Sequence, residues 1–332
     1  MLQRSNASTP VRAKTLFTNS GFEAVEAALK TALLATGKPG VIAFEGAYHG
    51  LGYGALNTTH RGHFRTPFRR QLREFAEFVR FPERADELDR IATAIQRLLR
   101  RRRIGAILVE PVQGRGGIRV PPPGFLPMLR RVCAEHEALL IADEIYTGFG
   151  RTGRWFACEH SGVIPDLICL GKALAGGFPL SACVGRADLM DTAWPESMGE
   201  ALHTSTFLGH PVGCAMALAQ IAEIRRLRLV PRSARLGTWL LDRLQGFRTS
   251  DFGLRTSARG LGLMAGLELR HQDGSPATEA ALRVIKSMLR RGFILLPEGE
   301  HANVISFTPP LTIGESELEA AVAALEADLA RR

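Results

Sequence analysis

The 332 residues make room for one large domain and a smaller companion, and an apolar fraction of 45% supplies an ordinary globular core. No apolar run is long enough to cross a membrane, and the start, Met1-Leu2-Gln3-Arg4-Ser5, lacks a secretory apolar stretch, so neither membrane nor export is expected. The net charge of +9 does not argue for nucleic acid, because the arginines are spread without interleaved aromatics and the densest run, 97–103, closes a helix where the dipole favours cations.

In chain order, Ser20-Gly21 opens a predicted helix with Val25, Ala28, Leu29, Ala32 and Leu33 on one stripe. Residues 41–44 read as a strand. Residues 86–103 read as a helix, and 105–109 as a strand running into Glu110. A helix over 124–138 carries Phe125, Met128, Leu129, Val132 and Cys133 at spacings of mostly three or four. An apolar strand follows and ends in Asp143 and Glu144; another leads to Lys172. Pro211 opens a helix to about 228, as proline suits a first turn. Beyond 247 come short strands and two helices. The alternation predicts an α/β fold, a mainly parallel central sheet with helices on both faces. The domains expected are a large one over 1–249 and a smaller α+β one over 250–332. The five cysteines, Cys133, Cys158, Cys169, Cys183 and Cys214, have no metal-ligand spacing and read as buried thiols of a cytoplasmic protein.

Two residues carry chemistry. Of 42 basic residues only five are lysines, and Lys172 alone stands between an apolar strand and a glycine-rich turn, Ala175-Gly176-Gly177. An ammonium there is costly to desolvate, and burial favours the neutral amine that attacks carbonyls. The alternative is a strand-end lysine reaching back to water. Asp143 ends the neighbouring apolar run, and in open α/β sheets ligands bind beyond the carboxyl ends of strands. Alone it reads equally as a cap or turn residue. Together, an imine-forming lysine and a carboxylate for a pyridinium nitrogen are what pyridoxal phosphate (PLP) requires.

The segment Asp143-Glu144-Ile145-Tyr146-Thr147-Gly148-Phe149-Gly150-Arg151-Thr152-Gly153, with Leu170-Gly171-Lys172-Ala173-Leu174-Ala175-Gly176-Gly177, resembles the class III, or ω-type, aminotransferases. Further similar stretches, in the family's order, include Asn19-Ser20-Gly21-Phe22, Ala47-Tyr48-His49-Gly50, Glu110-Pro111-Val112-Gln113-Gly114, Thr204-Ser205-Thr206-Phe207 and Pro309-Pro310-Leu311. The resemblance implies fold type I, PLP as cofactor, and ping-pong transfer of an amino group from a small donor to a keto acid or aldehyde. It implies that Lys172 holds the cofactor as an imine and then moves the proton, while Asp143 keeps the ring nitrogen protonated. It places Ser20, Gly21 and Phe22 at the phosphate, Tyr48 and Ile145 on the two ring faces, His49 as a brace of its loop, and Glu110 and Gln113 at the rim. Thr206 would reach the phosphate of a neighbouring subunit, so a homodimer with shared sites is expected. No metal, nucleic-acid or membrane partner is expected.

The chain departs from the family in four side chains. Phe22 stands where relatives often have a hydroxyl, and Tyr146 where they often have glutamine. Ser306 replaces an arginine that grips the carboxylate of glutamate in many relatives, and Arg115 replaces the acid that neutralises it. Either Arg115 takes the substrate carboxylate, or glutamate is not the donor, or Arg115 is a rim charge. Only eighteen residues precede Asn19, where the family has a longer segment. Decarboxylation-linked transamination, an amino shift and a catalytically impaired fragment are the alternative readings; the first two would share Lys172 and Asp143.

Overall fold

A computed structural model describes residues 12–247 and 253–330. Its chain divides into two compact units. The first takes Met1–Pro111, Pro121–Tyr146 and Cys158–Glu223; the second takes Val112–Val120, Thr147–Ala157 and Ile224–Arg332. The domain boundary expected at 249/250 lies outside the described residues.

The first unit is built on a seven-stranded sheet: β1 (Ala13–Thr18), β2 (Gly40–Phe44), β3 (Ala76–Val79), β4 (Ile104–Val109), β5 (Leu139–Asp143), β6 (Leu167–Leu170) and β7 (Ser181–Arg186). Their order is β1-β7-β6-β5-β4-β2-β3. The run from β6 to β3 is parallel, and β7 is antiparallel to both its neighbours. Every residue of β4, β5 and β6 is buried, as strands covered on both faces require. This explains why these strands read as continuous apolar runs. β1, β3 and β7 did not stand out in the sequence: Lys14 and Glu77 break the apolar pattern of the first two, and β7 ends in Gly185 and Arg186.

The helix Gly21–Thr36 packs small residues, Ala24, Ala27, Ala28 and Ala32, with Val25 and Leu29 into a cluster holding Leu108, Ile141 and Cys169. Leu33, expected on that stripe, is instead exposed. Gly37 stops the helix with φ 65, and its N–H donates to the Leu33 carbonyl. The predicted 86–103 helix is a short 3-10 turn, Ala85–Glu87, followed by Leu88–Arg101. The predicted 124–138 helix runs Phe125–Glu135, and the one from Pro211 ends at Arg226.

The second unit holds an antiparallel sheet of β8 (Arg255–Leu261), β9 (Met264–Arg270), β10 (Leu296–Glu298) and β11 (Val304–Phe307), in the order β10-β11-β9-β8. Helices Leu229–Gln245, Thr278–Arg290 and Glu315–Ala330 supply its core with Leu236, Leu240, Val284, Met288, Leu318 and Leu325. The first of these was not read from the sequence. Only Leu227 and Arg228, the latter at φ 52, separate it from the preceding helix, and no glycine marks the break. Gly237 on this helix allows a close crossing: a Cβ there would lie 2.1 Å from the Gly262 carbonyl.

Candidate active site

Asp143 ends β5 and is buried. Its Oδ2 accepts from His49 Nδ1 at 2.7 Å, and its Oδ1 accepts from the Ile145 N–H at 3.1 Å. The His49 side chain is fully enclosed, and its Nε2 has no hydrogen-bond partner among the described residues. The histidine is more than the loop brace expected from sequence. It is also held from its own backbone, where its N–H donates to Thr59 Oγ1 at 2.9 Å. This partnership was invisible in the sequence because 94 residues separate the pair.

Lys172 follows β6, which lies parallel to β5 with Cys169 opposite Asp143. Two features differ from expectation. The lysine is exposed, not buried. It also has a φ of 40, a left-handed backbone that a residue with a Cβ rarely adopts. Its Nζ lies 4.7 Å from the centre of the Tyr146 ring. The nearest thiol on its strand, Cys169, is held well above the usual range, chiefly by burial and then by Cys183 and Asp143. A protonated thiol is a poor nucleophile.

The turn before the first helix closes against these residues. A Cβ at Gly21 would stand 3.0 Å from Ile145 Cγ2, and one at Gly171 would stand 3.6 Å from Gly21 Cα. Glycine at 21 lets the helix start meet the end of β5, and the lysine turn lies in ordinary contact with that start. Ser20 O accepts from Ser181 Oγ at 2.6 Å. The N–H groups of Asn19 and Ser20 both donate to Glu23, at 2.7 and 3.0 Å. An anion at this helix start would therefore meet the later amides of the first turn. Phe22 lies against the loop after Tyr48: a Cβ at Gly50, φ 114, would come within 2.3 Å of Phe22 Cβ.

Tyr48 is half-buried; its N–H donates to Glu110 Oε2 at 3.1 Å and its ring meets Phe64 edge-on at 5.4 Å. Ser20, Gly21, Phe22, Tyr48, His49, Glu110, Asp143, Ile145, Tyr146 and Lys172 thus belong to one unit, joined through these contacts around the carboxyl ends of parallel strands. Thr206 lies in an exposed loop of the same unit, beside Ser205, whose Oγ accepts from Asn19 Nδ2 at 3.4 Å. The carboxylate, the lysine amine and a helix start make a donor set that fits PLP: an anion for its ring nitrogen, an amine for its aldehyde and amides for its phosphate.

Gln113, Arg115 and Ser306 belong to the second unit. Gln113 is buried and exchanges backbone hydrogen bonds with Arg119. Arg115 Nη1 stands 3.8 Å from Oε1 of the buried Glu298, and the Arg115 carbonyl accepts from the Gly299 N–H. Ser306 is buried, and its hydroxyl donates to the Leu296 carbonyl across the β10–β11 pair. Glu298 was not singled out in the sequence, where nothing distinguishes it from Glu300.

Residues 2–329 match the family described as aminotransferase class-III. Among curated relatives, an acetylornithine aminotransferase of Methanosarcina mazei is 37% identical over 310 residues, covering 93% of this chain and 71% of the relative. A 5-aminovalerate aminotransferase of Pseudomonas aeruginosa is 37% identical over 327 residues, covering 94% and 74%. Among solved structures, a thermostable ω-transaminase of Pseudomonas jessenii superposes with a TM-score of 0.88 at 29% identity, covering 98% of this chain and 76% of the other. The ornithine aminotransferase of Toxoplasma gondii, whose active site holds PLP at partial occupancy, gives 0.83 at 30% identity, covering 96% and 72%.

Proposed function

Since the chain belongs to the class III aminotransferases, PLP-dependent enzymes that pass an amino group from a donor to an acceptor, we propose that Lys172 and Asp143 are its catalytic pair. The observation that carries this is the fixed carboxylate of Asp143, held by His49 and Ile145, on the strand adjoining the one that Lys172 follows. PLP, when bound, supplies an electron sink for the charge left at the donor's Cα. Asp143 would keep its ring nitrogen protonated. Lys172 Nζ would hold its aldehyde carbon and carry a proton at the donor's Cα. Tyr48 and Ile145 would lie against its ring, and the first-turn amides of Gly21 and Phe22 would hold its phosphate. Purified protein with PLP is expected to be yellow and to bleach when an amino donor is added. Protein that stays colourless with added PLP defeats the assignment.

The donor class turns on Arg115 and Ser306. The Ser306 hydroxyl is engaged by backbone and Arg115 faces a buried acid, so neither presents the isolated cation that glutamate's second carboxylate needs. We expect non-acidic donors to be preferred. In Arg115→Ala, a fall confined to acidic donors, of about tenfold or more, would instead make Arg115 their ligand; an unchanged profile removes it from donor selection.

The homodimer is proposed on the apolar side chains exposed between 202 and 218: Leu202, Phe207, Val212, Met216 and Leu218 are 38–74% exposed. Thr206 lies within this stretch, consistent with a reach into the partner's site. Sedimentation at micromolar concentration is expected to show a dimer, and a monomer at full activity ends the shared-site reading. A cytoplasmic location is proposed from the free cysteines, and cell fractionation tests it.

A further inference from the structure

We infer that Glu26 is a positioning residue: with Phe22 it clasps the loop carrying Tyr48 and His49 onto the helix whose start would hold the PLP phosphate. The inference rests on the PLP reading and adds to it what keeps the ring seat and the phosphate turn in register. Phe22 and Glu26 stand four residues apart on the helix Gly21–Thr36, hence on one face. Opposite them the loop has glycine at alternate positions, Gly50, Gly52 and Gly54. A Cβ at Gly50 would lie 2.3 Å from Phe22 Cβ, one at Gly52 2.5 Å from the Phe22 ring, and one at Gly54 2.4 Å from Glu26 Oε2. The glycines make a track against which the two side chains lie. The Phe22 side chain, which offers a phosphate no donor, has this contact instead.

The carboxylate holds the far end of the track. Glu26 Oε1 accepts from the N–H groups of Gly54 at 2.8 Å and Ala55 at 3.1 Å. These groups open the short helix Tyr53–Thr58, whose own N-cap, Gly52, has no side chain to satisfy them. From there a run of hydrogen bonds leads to Asp143. The Ala55 carbonyl accepts from the Thr59 N–H at 3.1 Å, Thr59 Oγ1 accepts from the His49 N–H at 2.9 Å, and His49 Nδ1 donates to Asp143. Thr59 Oγ1 also donates to the Gly50 carbonyl, and the His60 N–H donates to the Ala47 carbonyl, so the loop closes on itself. A closed loop moves as a unit, and Glu26 bonds it to the helix.

The test uses the cofactor-free full chain. Binding of pyridoxamine 5′-phosphate, which has no aldehyde for Lys172 to hold, is followed by fluorescence quenching, with inorganic phosphate titrated as competitor. Glu26→Ala is expected to weaken pyridoxamine phosphate about tenfold and to leave inorganic phosphate within about twofold, because the helix start is intact. Hydrogen exchange should quicken in residues 47–60 and not in 24–36. Glu26→Gln keeps an oxygen for both N–H groups and should stay within about threefold of the unaltered protein. Gly54→Ala pushes the carboxylate aside, so it should match Glu26→Ala, and the double variant should bind no more weakly than either. A merely structural role lowers the affinity for both ligands in parallel, and that result overturns the inference. So do unchanged affinity or unchanged exchange in Glu26→Ala, or losses that add in the double variant. Unaltered protein that takes up no pyridoxamine phosphate sinks the PLP reading itself, and the inference with it.

Discussion

Lys172→Ala is expected to abolish the imine absorbance and to lower kcat by about 10⁴-fold or more, because on the proposed assignment one change removes both covalent anchor and proton carrier. The other described lysines cannot substitute. Lys14 pairs with Asp191, Lys30 Nζ lies 3.0 Å from His203 Nδ1, and Lys38 donates to the carbonyls of His136 and Glu137. Lys286 lies on the helix Thr278–Arg290 of the second unit. Folding is not the cause of the expected loss. Lys172 is exposed, and exposed positions outside special features change stability by about 0.5 kcal/mol or less. Its left-handed backbone adds a cost that alanine neither relieves nor worsens, since both carry a Cβ. PLP should still bind, more weakly, through the helix start and Asp143. A small exogenous amine should restore part of the proton transfer. Full colour and turnover in the variant would move the anchor to another residue.

The sequence disclosed the parallel sheet because buried parallel strands must be apolar on both faces. The stretches Ile104–Val109 and Leu139–Asp143 are uninterrupted for that reason. Edge strands carry no such constraint, so Ala13–Thr18 and Ala76–Val79 passed as loop. The positions of Asp143 and Lys172 were legible because each ends such a run. Their surroundings were not. The expectation that Lys172 is desolvated treated the strand end as interior, but the chain turns outward at Gly171 and leaves the residue exposed. The His49–Asp143 bond spans 94 residues, and only the strand order brings it about. The same holds for Glu298, which reaches Arg115 through the hairpin of β10 and β11. Local pattern reports burial and period; it is silent on which distant polar groups meet.

Asp143→Asn is nearly isosteric, so its effect isolates charge from shape. Both protein groups that face the carboxylate are N–H donors, His49 Nδ1 at 2.7 Å and the Ile145 amide at 3.1 Å. A carboxylate accepts from both, but an asparagine offers one oxygen and one NH₂; with its oxygen on the Ile145 amide, its NH₂ meets His49 Nδ1 and forces the imidazole proton onto the buried, unpartnered Nε2. With Asp143 and His49 both buried, water cannot repair the mismatch, and a stability loss of about 1–3 kcal/mol is expected in denaturant unfolding. The catalytic loss should be larger. Replacing one partner of a buried charged pair costs roughly 3–5 kcal/mol, which corresponds to about 10²–10⁴-fold in kcat. The acid's work falls on proton removal at Cα, so KM for the donor should change far less than kcat. A cofactor analogue methylated on the ring nitrogen is positive without any proton to hold, and it should recover part of the lost rate in Asp143→Asn but not in Lys172→Ala. A kcat within about tenfold of the unaltered enzyme in the asparagine variant would mean that the ring works unprotonated here, and the bond from His49 would then be structural support alone.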